Sequence, residues 1–296
     1  MKLEHYLNTV KNSIGLVSGS LKITEYDEAE ENVAAHIDPK NWNIEITLKK
    51  GFNPVQDRRQ IAYARKKKII DGKKTLLEDI LHHELAHWEL PVNSEKGCPF
   101  DTYHHDLILE AVKKGLPQEK QEHASYVANA FEDLMINPRV REFKRDFSGQ
   151  ILFWDHQGLA MKEKGQKGFT PMYEAFVKLN LHLFGEKSDE ALLKRHYQNS
   201  TKVEQAVANV IDDLQLPKNI HDTTPLFARD KWPKMAQRFA QHMAQLLDQS
   251  PQEKLSAFSP KEGKGQEGDK QQPAGNGLEE KMSTKEGKEA VSYGRY

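Results

Sequence analysis

Residues 83–87 of this chain read His-Glu-Leu-Ala-His. Two histidines four positions apart project from one face of a helix, so both imidazoles can reach a single ion at about 2.0–2.1 Å. Glu84 stands one position on and leans to the side. There a carboxylate can hold a water beside the ion rather than the ion itself. A divalent metal lowers the pKa of such a water toward about 7, and the carboxylate takes up its proton as it attacks a carbonyl. With 13 His and 44 acidic residues in 296, fewer than ~0.1 such strings are expected by chance. The plainer alternative is a helix with two surface histidines.

A metal that does chemistry needs a third protein ligand and an open position. The chain has one cysteine, Cys98, so a four-thiolate site is excluded and Zn2+ would be held by histidine and carboxylate. The candidate carboxylates lie in Asn129-Ala130-Phe131-Glu132-Asp133-Leu134-Met135-Ile136-Asn137. Adjacent helical residues point about 100° apart, so one carboxylate would ligate while the other orients a histidine. Glu132 is the expected ligand and Asp133 the alternative. Asn129, one turn earlier, could hydrogen-bond in the same shell. An ordinary exposed acidic pair is the competing reading. Hydrolysis of a peptide also needs a donor to the developing oxyanion, for which Tyr103, His104, His105, Tyr126 and His156 are candidates. Cys98 falls between the two candidate metal helices, where it could block the ion or simply pack.

These side chains need elements to position them. Thr75 with Glu78 has the spacing of a capping box and predicts a helix starting just before Leu76. Leu76, Leu77, Ile80, Leu81, Leu85 and Trp88 supply its buried side, and Pro91 ends it. A first amphipathic helix fits 3–16. Short segments at 21–25, 32–37 and 42–48 read as strands, the last alternating apolar and polar, and together predict a small antiparallel sheet. Further helices fit 102–114, with Asp101 as N-cap, and 119–136, ended by Pro138. Past residue 150 the pattern is mostly helical: 171–184 with Thr170 as cap and Pro171 in the first turn, then 189–197, 202–214 and 231–247. Tyr173, Phe176, Leu179, Leu183, Phe184, Val203, Val207, Val210, Trp232, Phe239 and Leu246 form the expected core stripe of that part.

The formal net charge is −1, so bulk electrostatics do not draw the chain toward nucleic acid or membrane. The basic run Arg58–Lys68 is interleaved with one aromatic residue, Tyr63, and reads as a solvated helical face. The N-terminal stretch lacks the basic and apolar regions of a secretory signal, and no apolar run approaches the roughly 20 residues that span a bilayer. One cysteine suits a reducing compartment, so a cytoplasmic protein is expected. From about Ser250 the composition turns to Lys, Glu, Gly, Gln, Ser and Pro, too poor in apolar residues to offset the entropy of ordering. The expected organisation is a metal-site domain over 1–150, a helical extension over 151–249 and a disordered charged tail over 250–296. That tail could engage a protein partner.

The motif His83-Glu84-x-x-His87 with the downstream Asn129-x-x-Glu132-Asp133 resembles the gluzincin branch of the zincin metallopeptidases, in which a Glu on a later helix completes the zinc site. The resemblance covers roughly residues 75–137. It implies an α+β zincin-like fold, with His83, His87 and Glu132 as zinc ligands and Glu84 as general base on a peptide or protein substrate. Asn93 and Leu90 stand where a metzincin has its third histidine and its glycine, which disfavours that class. The chain departs from the thermolysin-type pattern, in which an Asp follows the ligand Glu by four residues; here Ile136 holds that position. The string through Ile136-Asn137 also looks like metallopeptidase domains found beside von Willebrand A modules, although no such module is visible. Two other functions remain open at this point: a zinc-retaining binding or regulatory module, and hydrolysis of a non-peptide amide.

Overall fold

Short segments rich in β-branched or alternating residues form three strands, β1 (Leu21–Tyr26), β2 (Val33–Ile37) and β3 (Ile44–Lys49). In β3, Ile44, Ile46 and Leu48 are buried while Glu45 and Lys49 face out, as period two requires. The computed structural model describes residues 19–27, 32–38, 43–88, 102–144 and 146–247, together with 5, 8, 9, 11 and 12, which are helical. Cys98, Asp101 and the tail over 250–296 lie outside the described residues.

β3 is the central strand, with β1 and β2 on its two sides. β2 pairs antiparallel to it, Val33 opposite Leu48, across a short connection closed by Asp38 N–H donating to Asn43 O at 2.8 Å. β1 pairs parallel to it, Leu21 opposite Ile44. The sheet is therefore mixed, which corrects the expected antiparallel one. The alternation fixes which face of a strand is buried but carries no information on its direction. Here β2 passes to the far side of β3, so the first and third strands run the same way.

Helix α1 (Arg58–Lys66) is opened by Asp57, whose carboxylate accepts from the backbone of Arg59 and Gln60 while Gln60 reaches back, a complete capping box. Helix α2 (Gly72–Trp88) carries the His-Glu-x-x-His motif and begins three residues earlier than the expected cap at Thr75. Asp71 is the cap: its Oδ1 accepts from Lys74 N–H at 3.0 Å, and the Thr75 hydroxyl bonds the Asp71 carbonyl at 2.8 Å. Leu76, Leu77, Ile80, Leu81 and Leu85 are all buried. So are Asp79, His83, Glu84 and His87, and the helix is covered nearly all round.

Helix α3 spans Thr102–Gly115, and a 3-10 turn at Gln118–His123 leads into α4 (Ala124–Lys144). Pro138 lies inside α4 instead of ending it. An interior proline costs about 3 kcal/mol. Here Ile136 and Val140 on either side are buried, and Arg139 pairs with Glu142 at 3.0 Å, so packing holds the helix through it.

Helix α5 (Ser148–Glu163) has no counterpart in the sequence reading. Its residues 148 to 156 are buried without a break, so it shows no one-sided apolar stripe to detect. The domain boundary expected at 150 falls within this helix. Gly149 explains how closely it approaches α2: a Cβ there would stand 2.6 Å from Leu76 N and 2.7 Å from Leu76 Cα. The remaining helices are α6 (Pro171–Phe184), α7 (Lys187–Leu193), α8 (Thr201–Asp213) and α9 (Trp232–Met243). Thr170 caps α6, accepting from Tyr173 N–H, with Pro171 in its first turn. The eleven residues expected as a core stripe are buried, in one hydrophobic cluster shared with the motif helix and the sheet.

A buried polar knot ties the helices near the sheet. Asp155 accepts from Gln60 Nε2 at 2.8 Å, from Arg195 Nε at 2.8 Å and from His196 Nε2 at 2.9 Å. Its carboxylate is saturated by these donors, and Arg195 reaches on to Asp57. Among the described residues no helix is long and apolar enough to cross a membrane.

Candidate metal centre

Three pairings fix how α2 and α4 lie against each other. Lys144 pairs with Asp79, Asn137 with His83, and Asp133 faces both His83 and His87. As one helix advances from 79 to 87 the other retreats from 144 to 133, so the two are antiparallel. The same register carries Glu132 and Asn129 toward the C-terminal end of α2.

The nitrogens of the motif converge with one carboxylate. His83 Nε2 stands 3.3 Å from His87 Nε2, and Asp133 Oδ1 lies 3.3 Å from the first and 4.0 Å from the second. All three residues are buried, and their ligating atoms fall within 4.8 Å of one another. Ligands about 2.0–2.1 Å from a tetrahedral ion stand about 3.3–3.4 Å apart, so these spacings fit one divalent ion with little adjustment. The carboxylate brought to the histidine pair is thus Asp133, not the Glu132 expected from the resemblance. Glu132 turns the other way on α4, where His105 Nδ1 of α3 meets both of its oxygens at 3.0 and 3.2 Å. The two adjacent carboxylates diverge as helix geometry demands, Asp133 toward the histidine pair and Glu132 toward His105.

A relay of amides sets the His83 ring. Asn180 Nδ2 donates to the Phe176 carbonyl at 2.9 Å, which can only accept. Asn180 Oδ1 therefore accepts from Asn137 Nδ2 at 3.0 Å, and Asn137 Oδ1 accepts from His83 Nδ1 at 2.9 Å. Each amide orientation follows from the one before it. The end result is a His83 tautomer with its proton on Nδ1 and the Nε2 lone pair aimed at His87 and Asp133. Such an arrangement is relieved either by a cation bound between the donors or by a second proton on His83 Nε2, shared with Asp133 at 3.3 Å.

Without an ion, the buried groups of the cluster act strongly on one another. Burial opposes the charged form of His83, yet Asp133 raises its pKa above the ordinary value, with Glu84 adding to the effect. Burial pushes His87 well below its ordinary value, helped by His83, Arg229 and His105. Burial also raises Asp133 and Glu132 above the usual carboxylate range, against the pull of their histidines. Glu84 is itself buried on α2.

The far part of the chain closes over this end of α2. Arg229, just before α9, donates to the His87 carbonyl at 3.2 Å and stacks over Trp232 at 5.2 Å. Its charge also acts on Glu132. Of the five candidate oxyanion donors, His105 meets Glu132, the neighbour of Asp133 on α4. Tyr126 shares the α4 face with Asn129 and Asp133. Asn129 Oδ1 is buried there with no hydrogen-bond partner. His156 is remote, bound to Asn32 at 2.9 Å and packed on Phe52 beside the sheet. The side chains of Tyr103 and His104 lie outside the described residues.

Asn137 was legible in principle, being one turn from Asp133 in the same helical string. Asn180 and Arg229 come from distant segments with no motif around them. No protein-family model, no curated protein and no solved structure matches the chain.

Proposed function

We propose that this chain is a zincin-type metallopeptidase in which His83, His87 and Asp133 hold Zn2+ and Glu84 is the general base on a peptide or protein substrate. One observation carries the reading: two imidazole nitrogens of α2 and a carboxylate oxygen of α4, all buried, lie within 4.8 Å of one another, and α2 also bears Glu84. Three protein donors among the described residues, not four, suit an ion with a position left for chemistry. Zn2+ supplies Lewis acidity there, activating a water and polarising the substrate carbonyl.

The chain's own residues do the rest. Asn137 holds His83 in the ligating tautomer, and burial keeps competing water out. As the water oxygen bonds to the carbonyl carbon, the π pair moves onto the carbonyl oxygen and Glu84 takes the water's proton. The C–N bond then breaks, and Glu84 returns that proton to the departing nitrogen. The single cysteine and the near-neutral charge agree with a cytoplasmic protein acting on protein rather than nucleic acid.

The test is metal content of chelator-free protein by mass spectrometry, with His83→Ala, Asp133→Ala and Glu132→Gln beside the wild type. About one zinc per wild-type chain, lost in the first two variants and kept in the third, is the expected result. A wild type that takes up no metal after zinc is added would reject the reading.

A further inference from the structure

We propose that the outer face of α1, with the turn that ends it, docks on an anionic lipid surface, its cations at the headgroups and Ile61 and Ile70 in the apolar layer beneath. The inference does not depend on the metal centre.

Helix periodicity divides α1 into two sides. Gln60, Tyr63 and Ala64 are buried, Gln60 bonding Asp155 of α5 and Tyr63 Oη donating to Asp189 of α7, each at 2.8 Å. At about 100° per residue, Arg58, Ala62, Arg65 and Lys66 fall together on the opposite side, flanked by Arg59 and Ile61, and all six are exposed. Lys67, on the inner side, pairs with Glu186 and Asp189. Arg58, Arg59, Arg65, Lys66 and Lys68 pair with no acidic group among the described residues. The chain's net charge of −1 averages this concentration of positive charge away.

Two features of the segment run against its own stability. The first turn of α1 carries Arg58 and Arg59 and no acidic residue, so cations stand at the positive end of the helix dipole. The helix ends in a Schellman turn, in which Ile69 N–H donates to the Ala64 carbonyl at 2.8 Å and Lys68 N–H to that of Arg65 at 3.2 Å. Lys68 sits there at φ 58°, a left-handed conformation that glycine adopts more cheaply. The turn packs Ile69 against the core and leaves Ile70 wholly in solvent, at 102% exposure, while Ile61 is 44% exposed. Cations kept where they cost stability, beside aliphatic side chains kept in water, suit a surface that is anionic and apolar within the depth of one side chain. A single-stranded nucleic acid would be met by exposed aromatic rings, and the one aromatic of this run, Tyr63, is buried.

The test is co-sedimentation of full-length protein with vesicles of phosphatidylcholine alone or containing about 30% phosphatidylserine. Binding is expected to the anionic vesicles only, and at least about 10-fold weaker when salt is raised from about 0.1 to about 0.5 M. The triple variant Arg58→Glu, Arg65→Glu, Lys66→Glu should bind at least about 10-fold more weakly. Ile70→Ser, which disturbs no packing, should weaken binding about 3-fold or more. Anionic vesicles left unbound, or wild-type affinity in either variant, would overturn the proposal. So would capture by a duplex oligonucleotide or by polyglutamate in place of the vesicles, which would make this face a site for a different anionic partner.

Discussion

His83 and Asn137 stand 2.9 Å apart on antiparallel helices, and the amide relay behind Asn137 decides which nitrogen of His83 can face a metal. The relay ends on the Phe176 carbonyl in α6, a helix outside the motif region. At the proposed metal site, affinity is therefore expected to depend on packing of the C-terminal half. Asn137→Ala removes the acceptor for Nδ1–H and frees the ring to rotate or change tautomer. Zinc affinity should fall about 10–100-fold, read by competition with a chromogenic chelator. Affinity equal to the wild type would mean that the ring is oriented by packing alone.

Glu84 separates hydrolysis from mere metal binding. Glu84→Gln keeps the shape of the side chain and spares the ligands but cannot accept a proton. Zinc content should be unchanged while cleavage of a quenched fluorescent peptide library falls at least about 100-fold. Retained turnover in the variant would assign the base to another residue.

Much of this site was written in the sequence, and the part that was not has a physical cause. The motif helix, the five apolar residues beneath it and the Glu132–Asp133 string follow from spacing alone. Which of two adjacent carboxylates turns toward the histidines depends on the rotation of α4 about its axis. That rotation is set by contacts such as Asn137 with Asn180, far apart in sequence. The strand positions followed from alternation, but β1 could not be seen to run parallel to β3, since pairing direction is a tertiary property. Helix α5 escaped because burial on every side removes the periodicity that reveals a helix. Pro138 misled for a related reason, its local cost being outweighed by neighbours.

Gly149 tests the contact that seats the motif helix. Alanine there would gain about 1 kcal/mol of helix propensity. Its Cβ, however, would stand 2.6 Å from Leu76 N, and a backbone atom cannot move aside like a flexible side chain. Overpacking of this kind costs about 1–3 kcal/mol, so a net loss of stability is expected in urea unfolding. Leu76 lies about two turns before His83 on α2, so zinc affinity should fall along with it. A stabilised Gly149→Ala variant with intact metal binding would show that α2 and α5 are not seated by this contact.

Asp79 offers a pH signature separate from the metal centre. It is fully buried on α2, paired with Lys144, and accepts from Gln150 N–H at 2.9 Å in the first turn of α5. Burial pushes its pKa up to about 6; Lys144 and the Gln150 amide oppose the shift, and Asp146 adds to it. The folded state therefore holds this proton at pH values where the unfolded chain, at an ordinary value near 4, has released it. More protons bound in the folded state means that stability from this group falls as pH rises from about 4 to 6. The full penalty, about 3 kcal/mol for a shift of about two units, is present at pH 7. Asp79→Asn cannot titrate, but it also withdraws the negative partner of Lys144, so its stability at pH 7 is a balance of two effects. The slope is cleaner than the level. Urea midpoints taken from pH 4 to 7 should show wild type losing ground to Asp79→Asn as pH rises, and parallel curves would place the Asp79 pKa at its ordinary value.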